Sequence, residues 1–352
     1  MTSSRFGAGP TSGGVLGLLL APLSHIYGAV VRLRLLLFRA GFPKPRKVAG
    51  VRVISVGNLT AGGTGKTPVT IMLAKMAGHR AAVVSRGYRR KSRDRVQLVS
   101  NGPRIFEDYP KAADEALVCA LALKNVPVIC APKRTDGISA AVTLFEARTV
   151  ILDDAFSHLS AYRDLDVVLI DATDPFGGGR MLPAGMLREP PSSLTRADAV
   201  LITRANLVPP GELDSLRKKI ASLAGEGTRI FTCDIEPASL VGPDGAETPL
   251  KRLAGADVRL VSGIGSPEQF AATLKGLGAN VAGHSTFPDH HPYSEKDMRG
   301  VLDSLREGEL LLTTAKDFVR IPGPFRGRFY VLTVEAGVRE PDFASYVAGQ
   351  NA

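Results

Sequence analysis

Residues 51–68 read VRVISVGNLTAGGTGKTP, and the rest of the chain is organised around this stretch. An apolar, β-branched run ends at Gly57, a glycine-rich turn follows, and Lys66 and Thr67 open a predicted helix. A strand, a glycine-rich loop and a helix in this order form a P-loop, in which backbone N–H groups and the positive helix end face phosphate oxygens. The stretch therefore predicts a nucleotide site. A plain glycine-rich surface turn would leave Lys66 and Thr67 unexplained.

The residues of this loop have distinct expected roles. Lys66 is expected to reach the β- and γ-phosphates, and the Thr67 hydroxyl is expected to bind Mg²⁺. Thr60 stands where the general motif has its first glycine. The predicted cofactor-binding residues of the loop are Thr60, Ala61, Gly62, Gly63, Thr64, Gly65, Lys66 and Thr67.

The composition predicts a soluble globular body. The chain has 352 residues, of which 44% are apolar, so it is long enough for two ordinary domains. Its three cysteines, Cys119, Cys130 and Cys233, are widely spaced and lack histidines at metal-ligand spacing. They are expected to be reduced core residues in a cytoplasmic compartment, without a disulfide framework or a zinc site.

Charge is distributed unevenly along the chain. Residues 1–93 contain sixteen Lys and Arg and no Asp or Glu, whereas the remainder contains 28 basic and 34 acidic residues. This asymmetry predicts an anionic partner for the N-terminal part, which could be membrane headgroups, phosphates or nucleic acid. A basic face that is merely solvated is the alternative interpretation.

The N-terminal part predicts a helix at a membrane surface. Residues 1–14 are rich in Gly, Ser and Thr and are expected to be disordered. The uncharged run 15–31 and the following VRLRLLLFRAG predict a helix from near Pro22 to Gly41, lying in the membrane interface with its arginines toward the headgroups. Polar interruptions argue against a spanning helix, and the flanks argue against a secretory signal. A helix buried on the protein body is the alternative.

Beyond residue 51, short apolar runs alternate with helical patterns. This alternation predicts a P-loop NTPase-like α/β fold, with a mostly parallel sheet and helices on both faces. The predicted strands are 51–56, 81–85, 127–131, 149–153, 165–170 and 198–203, and the predicted helices follow the P-loop and cover 112–124 and 135–146. The predicted organisation is a disordered start and membrane-associated helix over 1–45, a P-loop domain over 46–228, a β-hairpin linker over 229–252 and a smaller α/β domain over 253–352.

Two polar segments accompany the predicted P-loop domain. SRGYRRKSRDR, residues 85–95, is expected to clamp an anionic substrate rather than to be a solvated loop. The predicted strand TVIL runs into Asp153 and Asp154, where a Walker-B group binds Mg²⁺. A helix N-cap would explain one of these aspartates but not both. Spacing gives His158 no role, and the histidine pair in residues 289–291 lacks the further ligands of a metal site.

Together these segments resemble the tetraacyldisaccharide 4′-kinases of lipid A assembly. The matching segments are PLSHIYGAVVRLR (22–34), SVGNLTAGGTGKTP (55–68), SRGYRR (85–90), ADE (113–115), DDAFSHLSAYRDLDVVLID (153–171), LPAGMLREP (182–190), RADAVLITR (196–204), GIGSPEQF (263–270), FPDHH (287–291) and TTAKD (313–317). Ordered matches along the whole chain are far more specific than the P-loop alone. The threonine at position 60 also agrees with the loop of this family.

The resemblance implies a reaction and a location. The expected reaction is transfer of the γ-phosphoryl group of ATP, with Mg²⁺, to the 4′-hydroxyl of an acylated glucosamine disaccharide 1-phosphate. The expected location is the cytoplasmic face of the bacterial inner membrane, as a peripheral protein. The implied partners are this glycolipid and the membrane surface, with no nucleic acid and no obligate protein partner.

The resemblance also implies roles by matched position. The catalytic residues are Asp114 as the base, His290 as its partner, Lys66 and Arg188. Thr67, Asp153 and Asp154 serve the metal, and Glu189 serves ATP. Arg86, Tyr88 and Arg89 of the basic loop, with Glu115 and His158, are the predicted substrate-binding residues. The chain departs from the family at Ala113, Ala155, Ser157 and Ala315, where Gly, Gly, Gln and Glu are usual, and none of these departures removes a group that the chemistry requires.

Two other functional classes remain as alternatives. A nucleotide switch of the GTPase type would have Asn/Thr-Lys-x-Asp after a strand, whereas Lys and Asp are adjacent in TTAKD, residues 313–317. A nucleic-acid-binding ATPase would explain the basic N-terminal part. However, only 6% of the residues are aromatic, none is Trp, and no basic–aromatic stacking pattern is present.

Overall fold

A computed structural model describes residues 15–349, in which one continuous sheet of thirteen strands is flanked by helices. The prediction of disorder for residues 1–14 lies outside the described residues. The strands are β1 (Arg52–Asn58), β2 (Ala81–Ser85), β3 (Gln97–Ser100), β4 (Val128–Cys130), β5 (Thr149–Leu152), β6 (Leu165–Asp171), β7 (Ala199–Thr203), β8 (Arg229–Val241), β9 (Glu247–Thr248), β10 (Asp257–Ser262), β11 (Asn280–Thr286), β12 (Leu310–Thr314) and β13 (Tyr330–Val338). The helices are α1 (Val15–Arg39), α2 (Lys66–Ala77), α3 (Asp114–Ala122), α4 (Arg134–Phe145), α5 (Pro210–Leu223), α6 (Pro267–Gly276), α7 (Glu295–Asp303), α8 (Ala315–Phe318), α9 (Gly323–Arg326) and α10 (Phe343–Ala348).

The sheet consists of two parallel portions joined by one long strand. In the first portion the order is β7-β6-β1-β5-β2-β4, all parallel, with β3 antiparallel at the edge. In the second portion the order is β11-β10-β12-β13, again all parallel. Strand β8 runs parallel to β7 and antiparallel to β13, so it belongs to both portions.

The strands of the first portion are apolar on both faces, as expected for a parallel sheet that helices cover on both sides. Val53 and Val56 of β1 point to opposite faces of the sheet and are both buried, as are Val167 and Val168 of β6. Helices α2 and α3 cover one face, and α4 and α5 cover the other. Such strands need helices on both sides. Loops that follow these strands therefore meet at one edge of the sheet, where ligands bind in open α/β folds.

The six strands predicted in the first portion all exist, and their bounds differ from the prediction by at most two residues. The α/β class with a mostly parallel sheet is thus confirmed. Strand β3 was not predicted, because it has only four residues, two of them polar. The predicted hairpin exists as β8 and β9, but β8 is also a full member of the sheet. The division into domains stays a prediction.

Helix α1 differs from its predicted bounds. It runs over Val15–Arg39 with Pro22 inside it, so the predicted start near Pro22 is wrong. The apolar residues before Pro22 continue the helix, because an internal proline removes one intrahelical hydrogen bond without always ending the helix. One side of α1, including Ser24 and Gly28, packs on the protein body.

Candidate active site

The loop between β1 and α2 has the backbone geometry of an anion-binding loop. Gly62 and Gly65 adopt φ values of 113° and 83°, which favour glycine. A Cβ atom on Gly65 would lie only 2.3 Å from Cδ1 of Ile235. Helix α2 has no side-chain N-cap, so its first N–H groups are available to a ligand. The buried Thr64 hydroxyl has no hydrogen-bond partner among the described residues, which also fits a bound ligand.

The Lys66 ammonium lies among three oxygen atoms. Its Nζ is 3.2 Å from Oδ1 of Asn58, 3.4 Å from the Gly62 carbonyl and 3.9 Å from Oδ1 of Asp154. Burial lowers the pKa of Lys66, because desolvation outweighs the attraction of Asp154. The buried charge is therefore incompletely compensated, and a phosphate group would stabilise it. Asn58, which also accepts from Arg188, has a role that was not predicted, although it lies in the SVGN segment.

The two adjacent aspartates after β5 have opposite electrostatic environments. Asp153 is 2% exposed, and its Oδ1 accepts a hydrogen bond of 3.1 Å from the Thr70 hydroxyl. Burial, Glu115 and Asp154 raise the pKa of Asp153 to about 7. Asp154 is also desolvated, but Lys66 and then Arg188 outweigh this effect and lower its pKa to about 2. Its φ of 48° is rare for a residue other than glycine, and such strain is common at functional sites.

These residues fit a magnesium ion that is held mainly by phosphates and water. No group of three or more His, Cys, Asp or Glu side chains among residues 15–349 forms a metal cage. Mg²⁺ usually takes only one or two carboxylates and completes its shell with water and nucleotide oxygens. The raised pKa of Asp153 indicates a carboxylate with too little positive charge nearby, which a divalent cation would supply. Thr67, buried at the start of α2, lies in the position expected for a hydroxyl ligand.

The segment 181–190 lies against the P-loop and delivers Arg188 to Asp154. The Ala61 N–H donates to the Met186 carbonyl at 2.7 Å, and the Arg188 N–H donates to the Leu59 carbonyl at 2.7 Å. Arg188 then donates to both carboxylate oxygens of Asp154, at 3.0 and 2.8 Å. A bidentate pair of this kind fixes both side chains.

Glu189, the next residue, points away from this pair. Its side chain is 5% exposed and forms an ion pair with Arg196, which lies over the Phe156 ring. The structure therefore pairs the Glu189 carboxylate with Arg196 rather than with a residue of the loop between β1 and α2. Its predicted contact with ATP stays a prediction.

Asp114 and His290 are in contact although 176 residues separate them. The Nδ1–H of His290 donates to Oδ2 of Asp114 at 2.7 Å, and Oδ1 of Asp114 accepts the Glu115 N–H at 2.9 Å. Asp114 is desolvated, but the hydrogen bond and charge of His290, with Arg320 and Lys316, lower its pKa below the usual value. His290 has a φ of 60°, a second strained residue at this site.

Arg320 contacts the residues that position this pair. It was not identified from the sequence. Its guanidinium donates to the Gly263 carbonyl at 3.0 Å and to Oδ1 of Asp317 at 2.7 Å, and its Nε is 3.9 Å from Oδ2 of Asp114. Gly263 in turn accepts the His290 N–H at 3.1 Å. Arg320 thus fixes the backbone that carries His290 and places a positive charge beside Asp114. No periodicity signals this role, because Arg320 acts on backbone carbonyls of distant segments.

The basic loop 85–95 is only partly free to bind a substrate. Arg90 donates to the Cys130 carbonyl at 3.1 Å, and Arg95 forms a bidentate pair with Asp136 at 2.6 and 3.0 Å. These two arginines therefore hold the loop in place, and the clamping of an anionic substrate by this run stays a prediction. Tyr88 is 59% exposed, and the Arg89 guanidinium lies 5.3 Å from the centre of its ring.

His158 and Arg134 lie near the two aspartates. Arg134 is 1% exposed and donates to the Asp153 carbonyl at 2.9 Å, a role that no sequence pattern indicates. Burial, together with Arg134 and Arg86, lowers the pKa of His158 to about 4. His158 is therefore neutral near pH 7 and can both donate and accept a hydrogen bond.

Glu115 at the start of α3 forms an ion pair of 3.5 Å with Lys316.

Helix α1 binds the catalytic edge through polar contacts. The Ser24 hydroxyl donates to the Met181 carbonyl at 2.9 Å, and the Tyr27 hydroxyl donates to the Arg188 carbonyl at 3.1 Å. Arg34 donates to the Ser157 carbonyl at 2.7 Å. Arg34 thus contacts the protein body, and the expectation that all arginines of α1 face headgroups is wrong for it.

Comparisons with known proteins agree along nearly the whole chain. The family model described as "LpxK: Tetraacyldisaccharide-1-P 4'-kinase" matches residues 16–351. The tetraacyldisaccharide 4'-kinase of Halothermothrix orenii is 36% identical over 91% of this chain and 89% of its own length. The tetraacyldisaccharide 4'-kinase of Syntrophotalea carbinolica is 37% identical over 94% of this chain and 92% of its own length.

A solved structure is similar as well. The crystal structure of the "apo" form of LpxK from Aquifex aeolicus in complex with ATP superimposes with a TM-score of 0.80 at 31% identity. The match covers 96% of this chain and 99% of that chain. The overall fold is therefore shared with a protein whose structure contains ATP.

Proposed function

The chain belongs to the tetraacyldisaccharide 4′-kinase family, and from this premise we propose how its residues carry out the reaction. The protein is an ATP-dependent kinase that phosphorylates the 4′ position of a lipid A disaccharide precursor. The alternatives of a nucleotide switch and a nucleic-acid-binding ATPase are set aside by this membership. One observation carries the proposed mechanism: the contact of 2.7 Å between Asp114 and His290.

ATP binds with its phosphates on the P-loop. Residues 60–67 supply backbone N–H groups, and Lys66 and Arg188 exchange part of their contact with Asp154 for phosphate oxygens. Thr67 and Asp153 would hold Mg²⁺, and Asp154 would assist them. The ion would neutralise phosphate charge as it builds up during transfer. Because burial already lowers the pKa of Lys66, a bound phosphate restores charge balance around that side chain.

The acceptor hydroxyl lies at the Asp114–His290 pair. Its oxygen attacks the γ-phosphorus, the bond from that phosphorus to the bridging oxygen breaks, and ADP departs with the bond's electrons. The hydroxyl proton passes to Asp114 and is held by the pair. Because the pKa of Asp114 is lowered, this carboxylate is a weak base on its own. His290, which is hydrogen-bonded to Asp114, shares the proton and so assists the transfer. Arg320 keeps both side chains in position.

The glycolipid contacts come from the basic loop 85–95 and from His158. Arg86, Tyr88 and Arg89 present positive charge and an aromatic face to an anionic sugar lipid. Neutral His158 offers hydrogen bonds to sugar hydroxyls, and Glu115 holds Lys316 near the pair. Because Asp114 precedes and His290 follows the long strand β8, movement of the two sheet portions would open and close the site.

Helix α1 places the enzyme on the membrane surface. By length and composition it is the one helix among the described residues that could cross a membrane, and little of it is buried. Its outer face exposes Leu19, Leu23, Ile26, Val30 and Leu33, each 52–69% exposed. The opposite face is hydrogen-bonded to the protein body, so lipid cannot surround the helix. We infer a peripheral position at the cytoplasmic face of the inner membrane, with the apolar face in the interface.

A direct assay tests this function. Purified protein with Mg-ATP should add one phosphate to a tetraacyl disaccharide 1-phosphate, as measured by mass spectrometry. Tandem fragmentation should locate the new phosphate on the distal sugar. ATP hydrolysis without a phosphorylated glycolipid product would contradict the proposal.

A further inference from the structure

A cavity of about 550 Å³ lies beside the first turn of α4, apart from the loop between β1 and α2. We call it the α4 cavity. Its polar lining consists of Arg46, Lys47, Arg95, Thr135, Asp136 and Ser139. Ligand pockets in proteins commonly have volumes of roughly 300–1,000 Å³, so the cavity can hold a phosphate group with part of a sugar. Neither the proposed nucleotide contacts nor the Asp114–His290 pair uses these residues.

Positive charge dominates this cavity. Its lining has three cationic side chains, from two separate segments, and one carboxylate, that of Asp136. The Lys47 ammonium is also 3.7 Å from Oδ1 of Asp164, which lies outside the lining. Arg95 binds this carboxylate at 2.6 and 3.0 Å. The hydrogen bond from Arg95, with the charges of Lys133 and Arg46, lowers the pKa of Asp136. Arg46 takes part in none of the ion pairs within residues 15–349, so its guanidinium is available to an anion.

Thr135 provides a second, independent indication of a ligand. It lies in the first turn of α4, is 6% exposed and lines the cavity. Its Oγ1 has no hydrogen-bond partner in the described part of the chain. A buried hydroxyl without a partner is rare in folded proteins and commonly marks a bound group. Because α4 begins without a side-chain N-cap, its positive end also faces this region.

The cavity adjoins the proposed acceptor region on two sides. Thr135 follows Arg134, whose guanidinium binds the Asp153 carbonyl. The Arg46 N–H donates to the Ser160 carbonyl at 2.9 Å, and the Ser160 hydroxyl is 3.0 Å from Nε2 of His158. Helix α1 reaches the same turn, at Ser157. The α4 cavity is therefore next to the turn that carries His158, which α1 also contacts.

We propose that the α4 cavity binds the 1-phosphate of the acceptor disaccharide. The inference rests on the proposed function, because the family's acceptor carries a phosphate at position 1 while position 4′ reacts. The two groups lie at opposite ends of the disaccharide, so an anion site away from the P-loop is required. Arg46 is the main cation, since a guanidinium can bind a phosphate through two parallel hydrogen bonds. The Thr135 hydroxyl completes the site.

The test measures binding of the acceptor without ATP, so its outcome does not depend on catalysis. The affinity of the protein is measured by titration with neutral detergent micelles that contain either the acceptor or the same glycolipid without its 1-phosphate. Arg46→Ala should weaken binding of the phosphorylated acceptor by about tenfold, because a charged contact to phosphate is lost at an exposed side chain. It should leave binding of the dephosphorylated glycolipid unchanged. Arg328→Ala, at an exposed arginine in the C-terminal part, controls for the loss of one charge.

A second variant is expected to strengthen binding of the acceptor instead of weakening it. Asp136→Asn removes the carboxylate that competes with the phosphate, so it should tighten binding of the phosphorylated acceptor by severalfold. Thermal unfolding would verify that each variant is folded. Equal losses for both glycolipids in Arg46→Ala, or no loss for either, would overturn the inference.

The source of the phosphate is tested separately. Sedimentation with vesicles of phosphatidylglycerol and phosphatidylcholine should be the same for wild type and Arg46→Ala. If only vesicle binding weakens, the cavity serves bilayer headgroups and the proposal for the acceptor is wrong. If wild type binds the acceptor through this cavity but phosphorylates neither glycolipid, the proposed function fails while the binding site stands.

Discussion

The P-loop and the Asp114–His290 pair are assembled in opposite ways. The P-loop lies within a few residues of one strand and one helix, and its glycines and Lys66 take their positions from local backbone geometry. The Asp114–His290 pair joins residues that are 176 positions apart and depends on Arg320 and Asp317 in the C-terminal sheet portion. Damage to the first region should therefore affect chemistry alone. Damage to the second should change the position and charge of the pair together.

The largest effect is expected at the P-loop. Lys66→Ala should lower turnover on the order of a thousandfold, since an electrostatic contact to the transferred phosphate is lost, while thermal stability stays near that of wild type. Lys75→Ala is the matched control, because Lys75 lies on the same helix and is paired at the surface with Glu335. Steady-state assays of glycolipid phosphorylation measure the effect. Near-normal turnover in Lys66→Ala would remove the P-loop from the mechanism.

A smaller effect is expected at the support of the assembled pair. Arg320→Lys keeps the charge but cannot bind Gly263 and Asp317 together, so His290 should shift. A misplaced catalytic group commonly reduces rate by about a hundredfold, and we expect kcat to fall by about this factor with little change in the KM for ATP. Arg299→Lys on the exposed side of α7 is the control. If only thermal stability falls and kcat does not, Arg320 is purely structural.

These two regions also differ in how well they could be predicted. The strand, loop and helix around Lys66 were predicted from local pattern, because β-branched residues, glycines and the helix start all lie within one short window. Asp114 and His290 came only from the family resemblance, since no local pattern joins them.

The residues whose roles were not predicted form hydrogen bonds to residues that are separated from them in the sequence. Arg320 and Arg134 bind backbone carbonyls of remote segments, and Asn58 acts through a side-chain amide between Lys66 and Arg188. Hydrogen bonds of this kind leave no periodicity. The start of α1 was wrong for a local reason, since Pro22 was given more weight than the apolar residues before it.

Helix α1 combines a feature that is evident from local sequence with contacts to distant residues. Its apolar outer face is evident in the sequence, whereas its contacts with Met181 and Arg188 are long-range. Replacing Leu23 and Ile26 by Ser should release the protein from vesicles and raise the KM for acceptor severalfold, with ATP binding unchanged. Leu144→Ser, at an equally exposed leucine on α4, should do neither. Unchanged vesicle binding of the α1 variant would place the membrane contact elsewhere.

The smallest effect is expected from His158. Because its pKa in the folded protein is lowered to about 4, below the value of about 6.5 in an unfolded chain, the folded state binds fewer protons between these pH values. The free energy of unfolding should therefore decrease as pH falls from about 6.5 to about 4 and be insensitive to this group above that range. His158→Gln should flatten this part of the profile, measured by denaturant unfolding. A profile identical to wild type would show that His158 is solvated and not buried beside Arg134.

A double-mutant cycle of kcat tests the Asp114–His290 pair most directly. Asp114→Asn and His290→Ala should each lower kcat by about a hundredfold or more, as expected for loss of general base catalysis, with little change in ATP affinity. If the two residues act as one unit, the double variant should be little worse than the poorer single variant. Losses that multiply, or a His290→Ala variant that changes only the KM for acceptor, would contradict the pair and make His290 a substrate contact.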